Sequence, residues 1–182
     1  WPMHKIESKV GISSRHIAGS GEFSSDLSVH AAKKLFDSGI CSPDDIDYLL
    51  LCTQSPDYVL PTTACIVQDR LNLSQNVGAM DINLGCSGYV YGLSVAKGLI
   101  ETQQASNVLL ITADTYSKYI NPNDRCVRSI FGDGASATLI SSKIKFSKEN
   151  ASSIGPFVFG THGGGADNLI VRNSGTHKNT SD

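Results

Sequence analysis

Four short runs dominated by apolar or small residues, YLLLCT (48–53), VGAMDI (77–82), NVLLITAD (107–114) and GASATLISS (134–142), alternate with stretches whose apolar residues recur at helical spacing. This alternation narrows the fold more than any other feature. Strands that read as continuous apolar runs are buried on both faces, and intervening helices supply the cover. The expected class is therefore α/β, a mostly parallel mixed sheet with helices on both faces. Between Ser25 and Gly39, residues Leu27, Ala31, Ala32, Leu35 and Phe36 fall on one helical face, and Gly39 stops it. Ser42, Pro43 and Asp45 form a helix-start signature with room for only a short turn. Ala64, Ile66, Val67 and Leu71 predict a second helix, and a third is predicted from Gly88 to Gln103.

Composition excludes several functions. With 40% hydrophobic and 18% charged residues the chain is an ordinary globular protein, long enough for one core or two small lobes. A formal net charge of −2 gives no electrostatic case for nucleic acid or an anionic membrane. No apolar run approaches the roughly 20 residues that span a bilayer. The five cysteines, Cys41, Cys52, Cys65, Cys86 and Cys126, are irregularly spaced, with no C-x-x-C pair and no zinc-ligand spacing. They are expected to be free thiols, mostly buried as small hydrophobes, in a cytoplasmic protein. The opening Trp1-Pro2-Met3 and the polar ending RNSGTHKNTSD lead us to expect a piece of a longer protein.

One cysteine stands apart. In DINLGCSGYVYGL (81–93), Cys86 sits between a strand and a helix, with Gly85 giving the backbone freedom for a sharp turn. A thiol at a helix start faces the positive end of the dipole, which favours the thiolate, the attacking species. The arrangement parallels the serine nucleophile elbow. The local sequence equally allows a buried cysteine chosen for its size. The helix after it bears a single charge, Lys97, between Ser87 and Ile100, so it is expected to be surrounded by protein. Gly88, Gly92 and Ala96 form a smooth stripe four residues apart, suited to close approach of another backbone.

Taken with KVGISSRHI, LPTTACIVQDRL, NVLLITADTYSKYINPNDR and SIFGDGASATLI in the same order, the segment GCSGYVYGLSVA resembles the amino-terminal half of the β-ketoacyl-acyl-carrier-protein synthase III family. These are condensing enzymes of the thiolase-like fold. The resemblance implies one half of a duplicated fold over residues 1–182, with a buried helix after the nucleophile and the second half absent. It implies that Cys86 accepts an acyl group from acyl-coenzyme A. Malonyl-acyl-carrier protein then loses carbon dioxide, and its carbanion attacks the thioester. The reaction needs no cofactor and no metal. The cysteine N–H would help form the oxyanion hole, while a histidine and an asparagine of the missing half would stabilise the enolate.

By the same resemblance, Arg125 corresponds to an arginine that packs on the adenine of coenzyme A, and Lys9 to a basic residue near its phosphates. Leu60, before Pro61, stands where an aromatic ring often reaches the partner's acyl tunnel; the smaller leucine implies a pocket for chains longer or bulkier than acetyl. The family's adenine-stacking tryptophan would fall near Lys5, and Trp1 is out of register with it, which opens an acyl-carrier protein as an alternative donor. The strand NVLLITAD is expected to pair across a two-fold axis in a homodimer. Alternatives that keep the acyl-cysteine are transfer to an alcohol or amine, a hydroxymethylglutaryl-coenzyme A synthase-like aldol step, or a catalytically incomplete piece.

Other signals are set aside. HGGG (162–165) matches the oxyanion loop of esterases, but no G-x-S-x-G accompanies it, so a flexible glycine loop is expected. GDG (132–134) lacks the lysine of a phosphate-binding loop and reads as a tight turn near the nucleophile. His16 reads as structural or surface, and His162 and His177 receive no role.

Overall fold

A computed structural model of the chain describes residues 3–142 and 153–175. Trp1 and His177 lie outside the described residues. The chain divides into a larger unit, Trp1–Ser152, and a small one, Ser153–Asp182.

The larger unit contains helices α1 (Met3–Val10), α2 (Ser24–Asp37), α3 (Thr63–Arg70) and α4 (Gly88–Glu101) and strands β1 (Tyr48–Cys52), β2 (Gly78–Ile82), β3 (Asn107–Asp114) and β4 (Gly134–Ser141). The strands form one sheet in the order β2-β1-β3-β4. β1 runs parallel to β2 and β3, and β4 runs antiparallel to β3. The expected mixed, mostly parallel sheet is present.

Period-two alternation along the strands sorts their side chains onto two faces. Leu49, Leu51, Leu109 and Ile111 pack with Val29 and Ala32 of α2 and Ala64 and Val67 of α3. Each of the four strand residues is fully buried, a burial worth about 1.5–3 kcal/mol apiece. Leu50, Cys52 and Leu110 face the other way, toward α4, which packs on β1, β3 and β4. The layers are thus two helices, the sheet, and one helix.

Polar groups fix the helix ends. The Asp26 carboxylate accepts the Phe23 N–H at 2.7 Å at the start of α2 and pairs with Arg70 of α3 at 2.7 Å. Asp81, a strand residue, accepts the N–H groups of Thr63 and Ala64 at 2.8 Å each, placing a carboxylate at the α3 N-terminus, where the dipole favours it. Ser42 and Asp45 close the short 3-10 turn Pro43–Asp45 as the sequence predicts.

Three expectations need correction. β3 has neighbours on both sides, so NVLLITAD has no free edge and cannot pair across a two-fold axis; among the described strands, β2 and β4 stand at the edges. α4 is not surrounded by protein in this chain. Gly88, Gly92 and Ala96 are buried on the sheet, whereas Tyr89 and Val90 stand 41% and 47% exposed, because the sheet is what packs against it. The smooth stripe admits side chains rather than a backbone. A β-carbon at Gly88 would collide with Cys52 Sγ, and one at Gly92 would lie 2.6 Å from Leu110 Cδ1.

In the small unit, HGGG does not form an open loop: Gly163–Asn168 is a 3-10 helix, with Gly165 N–H donating to His162 O at 3.2 Å. Phe157 and Phe159 stack nearby in sequence, ring centroids 5.8 Å apart.

Candidate functional site at the carboxyl edge of the sheet

Three parallel strands end at one edge, where open α/β sheets place their ligands. Cys86 lies there, just past β2. Gly88 N–H donates to Gly85 O at 2.8 Å, closing a tight turn with Cys86 and Ser87 at its centre, and α4 starts immediately after. The thiol is exposed. Within this chain, Cys86 is therefore not packed in the core. Cys65 and Cys126 are exposed as well, so only Cys41 and Cys52 behave as the small buried hydrophobes expected of most of the five.

The turn rests on side chains that sequence reasoning did not single out. Cys52, the last residue of β1, donates its thiol hydrogen to Leu84 O at 3.0 Å, on the chain entering the turn. Burial pushes the Cys52 thiol above its ordinary value, so it remains a protonated donor. Gln54, two residues past β1, accepts a hydrogen bond from the Tyr116 hydroxyl, and both stand against Gly85. A β-carbon at Gly85 would lie 2.6 Å from Gln54 Oε1, so a side chain there would require the Gln54 amide to shift.

Beneath these lies a buried polar layer. Asp114 Oδ1, at the end of β3, accepts the N–H groups of Gln54 (2.8 Å) and Ser55 (3.1 Å) and the hydroxyls of Ser55 (3.0 Å) and Thr53 (3.3 Å). Burial pushes the Asp114 carboxyl up despite those bonds. Ser24 Oγ reaches Ser55 O at 2.7 Å, and Thr115 N–H donates to Ser55 Oγ at 2.7 Å, tying the start of α2 to both strand ends.

The GDG turn occupies the same edge, since Gly134 pairs with Asp114. Asp133 accepts the N–H groups of Ala18 (2.7 Å) and Ser117 (2.9 Å), and its own N–H donates to His16 O at 2.8 Å. Phe131 packs on Tyr116 with centroids 5.6 Å apart. His16 is thus exposed and structural through its backbone. A cavity of about 120 Å³ lined by Ile17, Ser117, Ile120, Pro122, Arg128 and Phe131 opens beside this turn. A polar cavity of about 390 Å³ lies at the opposite edge, near Asp47 and Ser106, away from Cys86.

The remaining sequence candidates are carried on separate segments. Lys9 is exposed in the last turn of α1, a helix the sequence reading did not predict. Arg125 is exposed in the loop between β3 and β4, and Leu60 is 83% exposed in the loop between β1 and α3. Side chains that stand against the Gly85–Gly88 turn include Cys52, Gln54 and Tyr116.

Comparison with known proteins agrees with this arrangement. The family profile described as 3-oxoacyl-[acyl-carrier-protein (ACP)] synthase III matches residues 80–163, from β2 through the Cys86 turn and beyond β4. The chain is 44% identical over 135 residues to the β-ketoacyl-[acyl-carrier-protein] synthase III of Thiobacillus denitrificans, covering 74% of this chain and 42% of that one. A crystal structure of a 3-oxoacyl-(acyl-carrier-protein) synthase III superposes with a TM-score of 0.87 at 55% identity, covering 94% of this chain and 50% of the other. The Burkholderia xenovorans enzyme superposes with a TM-score of 0.81 at 37% identity, over 94% of this chain and 48% of its own. The chain thus spans about half the length of the relatives it matches, its fold is thiolase-like α/β, and over that span it resembles the β-ketoacyl-acyl-carrier-protein synthase III enzymes.

Proposed function

We propose that this chain is the amino-terminal, cysteine-bearing half of a condensing enzyme of fatty-acid or polyketide-type synthesis. The observation that carries this reading is the exposed Cys86 thiol in the Gly85–Gly88 turn, at the carboxyl edge of the sheet and the start of α4. In the first step the Cys86 thiolate attacks the carbonyl of an acyl-coenzyme A. A sulfur–carbon bond forms and the coenzyme A thiolate leaves, so one hard condensation becomes two easier steps. Arg125 and Lys9 are the proposed coenzyme A contacts, and Leu60 the proposed acyl-chain contact. In the second step malonyl-acyl-carrier protein releases carbon dioxide. Its carbanion then attacks the thioester, and the Cys86 thiolate is expelled. The substrates supply all of the reacting groups, so no cofactor is invoked.

The enolate-stabilising histidine and asparagine of that family belong to its second half, and no such role is assigned to His16 or His162. His16 is exposed and held through its backbone, while His162 begins the separate 3-10 turn of the small unit. By this reading residues 1–182 can accept an acyl group but need the other half to condense it. A homodimer is also proposed, through a surface other than the edges of β3. No described helix is long and apolar enough to cross a membrane, and a cytoplasmic setting is part of the proposal.

The test is acylation. This chain and a full-length form of the enzyme are incubated with acyl-coenzyme A donors, and the modified cysteine is located by peptide mass mapping. A thioester on Cys86, and not on exposed Cys65 or Cys126, is expected. Absence of any adduct at Cys86 in both proteins refutes the reading.

A further inference from the structure

The nucleophile turn leans on a pair of side chains to which the resemblance gives no role. Tyr116 opens the 3-10 turn Tyr116–Lys118 after β3 and donates its hydroxyl hydrogen to Oε1 of Gln54, which follows β1. The two meet at Gly85. A β-carbon there would stand 2.6 Å from Gln54 Oε1 and 3.6 Å from the Tyr116 hydroxyl oxygen. Burial first, then the charges of Asp114 and Cys86, push the Tyr116 ionisation above its ordinary value, so the hydroxyl keeps its hydrogen at neutral pH.

Both partners are fixed from behind. Asp114 Oδ1 takes the Gln54 N–H at 2.8 Å and the Ser55 N–H at 3.1 Å, which sets the backbone from which Gln54 reaches out. The Tyr116 ring packs on Phe131 at 5.6 Å between centroids. A hydrogen bond between two such groups has a direction, which an apolar contact lacks. It therefore sets where Oε1 stands against Gly85. Gly85 in turn supplies the carbonyl that Gly88 N–H grips at 2.8 Å to close the turn around Cys86.

We propose that the Tyr116–Gln54 hydrogen bond, anchored by Asp114, is a positioning device for the nucleophile, holding the Gly85–Gly88 turn so that Cys86 meets an acyl donor in one orientation. Tyr116 and Gln54 act through the turn and not on the acyl group. The proposal rests on the reading of Cys86 as acyl acceptor and extends it to what aims the thiol.

The experiment compares Tyr116→Phe, Gln54→Ala and the double variant with the wild-type chain by two readouts. Amide hydrogen exchange at Gly88 reports the turn itself and does not depend on any activity. Single-turnover acylation of Cys86 by acyl-coenzyme A separates the maximal rate from the half-saturating donor concentration. Each single variant is expected to speed Gly88 exchange and to slow maximal acylation about tenfold, with the half-saturating concentration within about twofold. The double variant is expected to be no worse than the worse single, because both substitutions break one interaction. Unchanged Gly88 exchange overturns the proposal, as do losses that multiply in the double variant, or an effect on half-saturation alone. If the wild-type chain and the full-length enzyme are not acylated, the condensing-enzyme reading fails, and Gly88 exchange alone then decides whether the pair holds the turn.

Discussion

The same substitution made twice in α4 should move stability in opposite directions. At Gly92, a β-carbon would stand 2.6 Å from Leu110 Cδ1 and 3.0 Å from Cδ2, against ordinary carbon contacts of about 3.5–4.0 Å. Leu110 cannot simply withdraw. It is fully buried in β3, level with Leu50 of β1 on one side and Thr138 of β4 on the other. Gly92→Ala therefore carries an overpacking cost of about 1–3 kcal/mol, offset by the roughly 1 kcal/mol gained when alanine replaces glycine in a helix. Gly98, two turns on, has nothing within 4 Å of its β-carbon position, so Gly98→Ala keeps the gain alone. The helical contribution cancels in the comparison, and the two variants should differ by the overpacking cost itself, about 1–3 kcal/mol. Urea unfolding followed by far-ultraviolet circular dichroism, with equal slopes required of both variants, measures that difference. Leu110→Val removes both δ carbons and should make Gly92→Ala much less damaging. Variants that shift together, or a Gly92→Ala cost that Leu110→Val leaves untouched, would refute the packing argument.

Gly88→Ala should destabilise by about 1–3 kcal/mol, and Cys52→Ala should recover part of it, since the collision with Cys52 Sγ is removed while the tight approach to Leu84 Cβ at 3.2 Å remains; denaturation of the double variant checks this. Burial raises the Asp114 carboxyl above its unfolded value, so the folded chain binds more protons between the two values. Stability relative to Asp114→Asn should therefore be highest below about pH 4 and fall as pH rises through that window; a rise, measured by chemical denaturation across pH, contradicts the assignment. Cys86 of the full-length enzyme should acylate faster with medium-chain than with acetyl-coenzyme A, and Leu60→Phe should narrow that preference; the reverse order sinks the proposed role of Leu60. Arg125→Ala should raise the half-saturating coenzyme A thioester concentration about tenfold and leave the maximal acylation rate within about twofold, as loss of uniform binding requires.

The sheet was legible because its strands are short apolar runs bounded by polar turns, and all four appear close to where the periodicity puts them. α1 was not, since HKIESKV offers no long apolar stripe and only its glycine stop, Gly11, marks an end. The near absence of charge along α4 was read as enclosure, yet hydropathy says only that a face is apolar, not that this chain supplies the cover. The error over NVLLITAD came from the resemblance, which assigned the two-fold pairing to this strand; its apolar run signals burial on both faces and says nothing of whether an edge is free. Cys86 could be found from its glycines. Gln54, Cys52 and Asp114 could not, because their importance comes from strand register, which no local pattern displays.

That register is what makes the site. Ile82, Cys52 and Thr112 stand level across β2, β1 and β3. Two residues further on in each strand's continuation come Leu84, whose carbonyl takes the Cys52 thiol, Gln54, which stands against Gly85, and Asp114, which holds the Gln54 N–H. Because side chains alternate with period two, a one-residue slip of β1 would turn Cys52 toward α2 and α3 and carry Gln54 away from Gly85. The same slip would bring Leu49 and Leu51 out of the core they share with α2 and α3. The support of Cys86 and the burial of four central side chains are therefore specified by one alignment. A substitution that weakens the core on the far face of the sheet should act on thiol presentation only by loosening that alignment, whereas Tyr116 and Gln54 act on it directly.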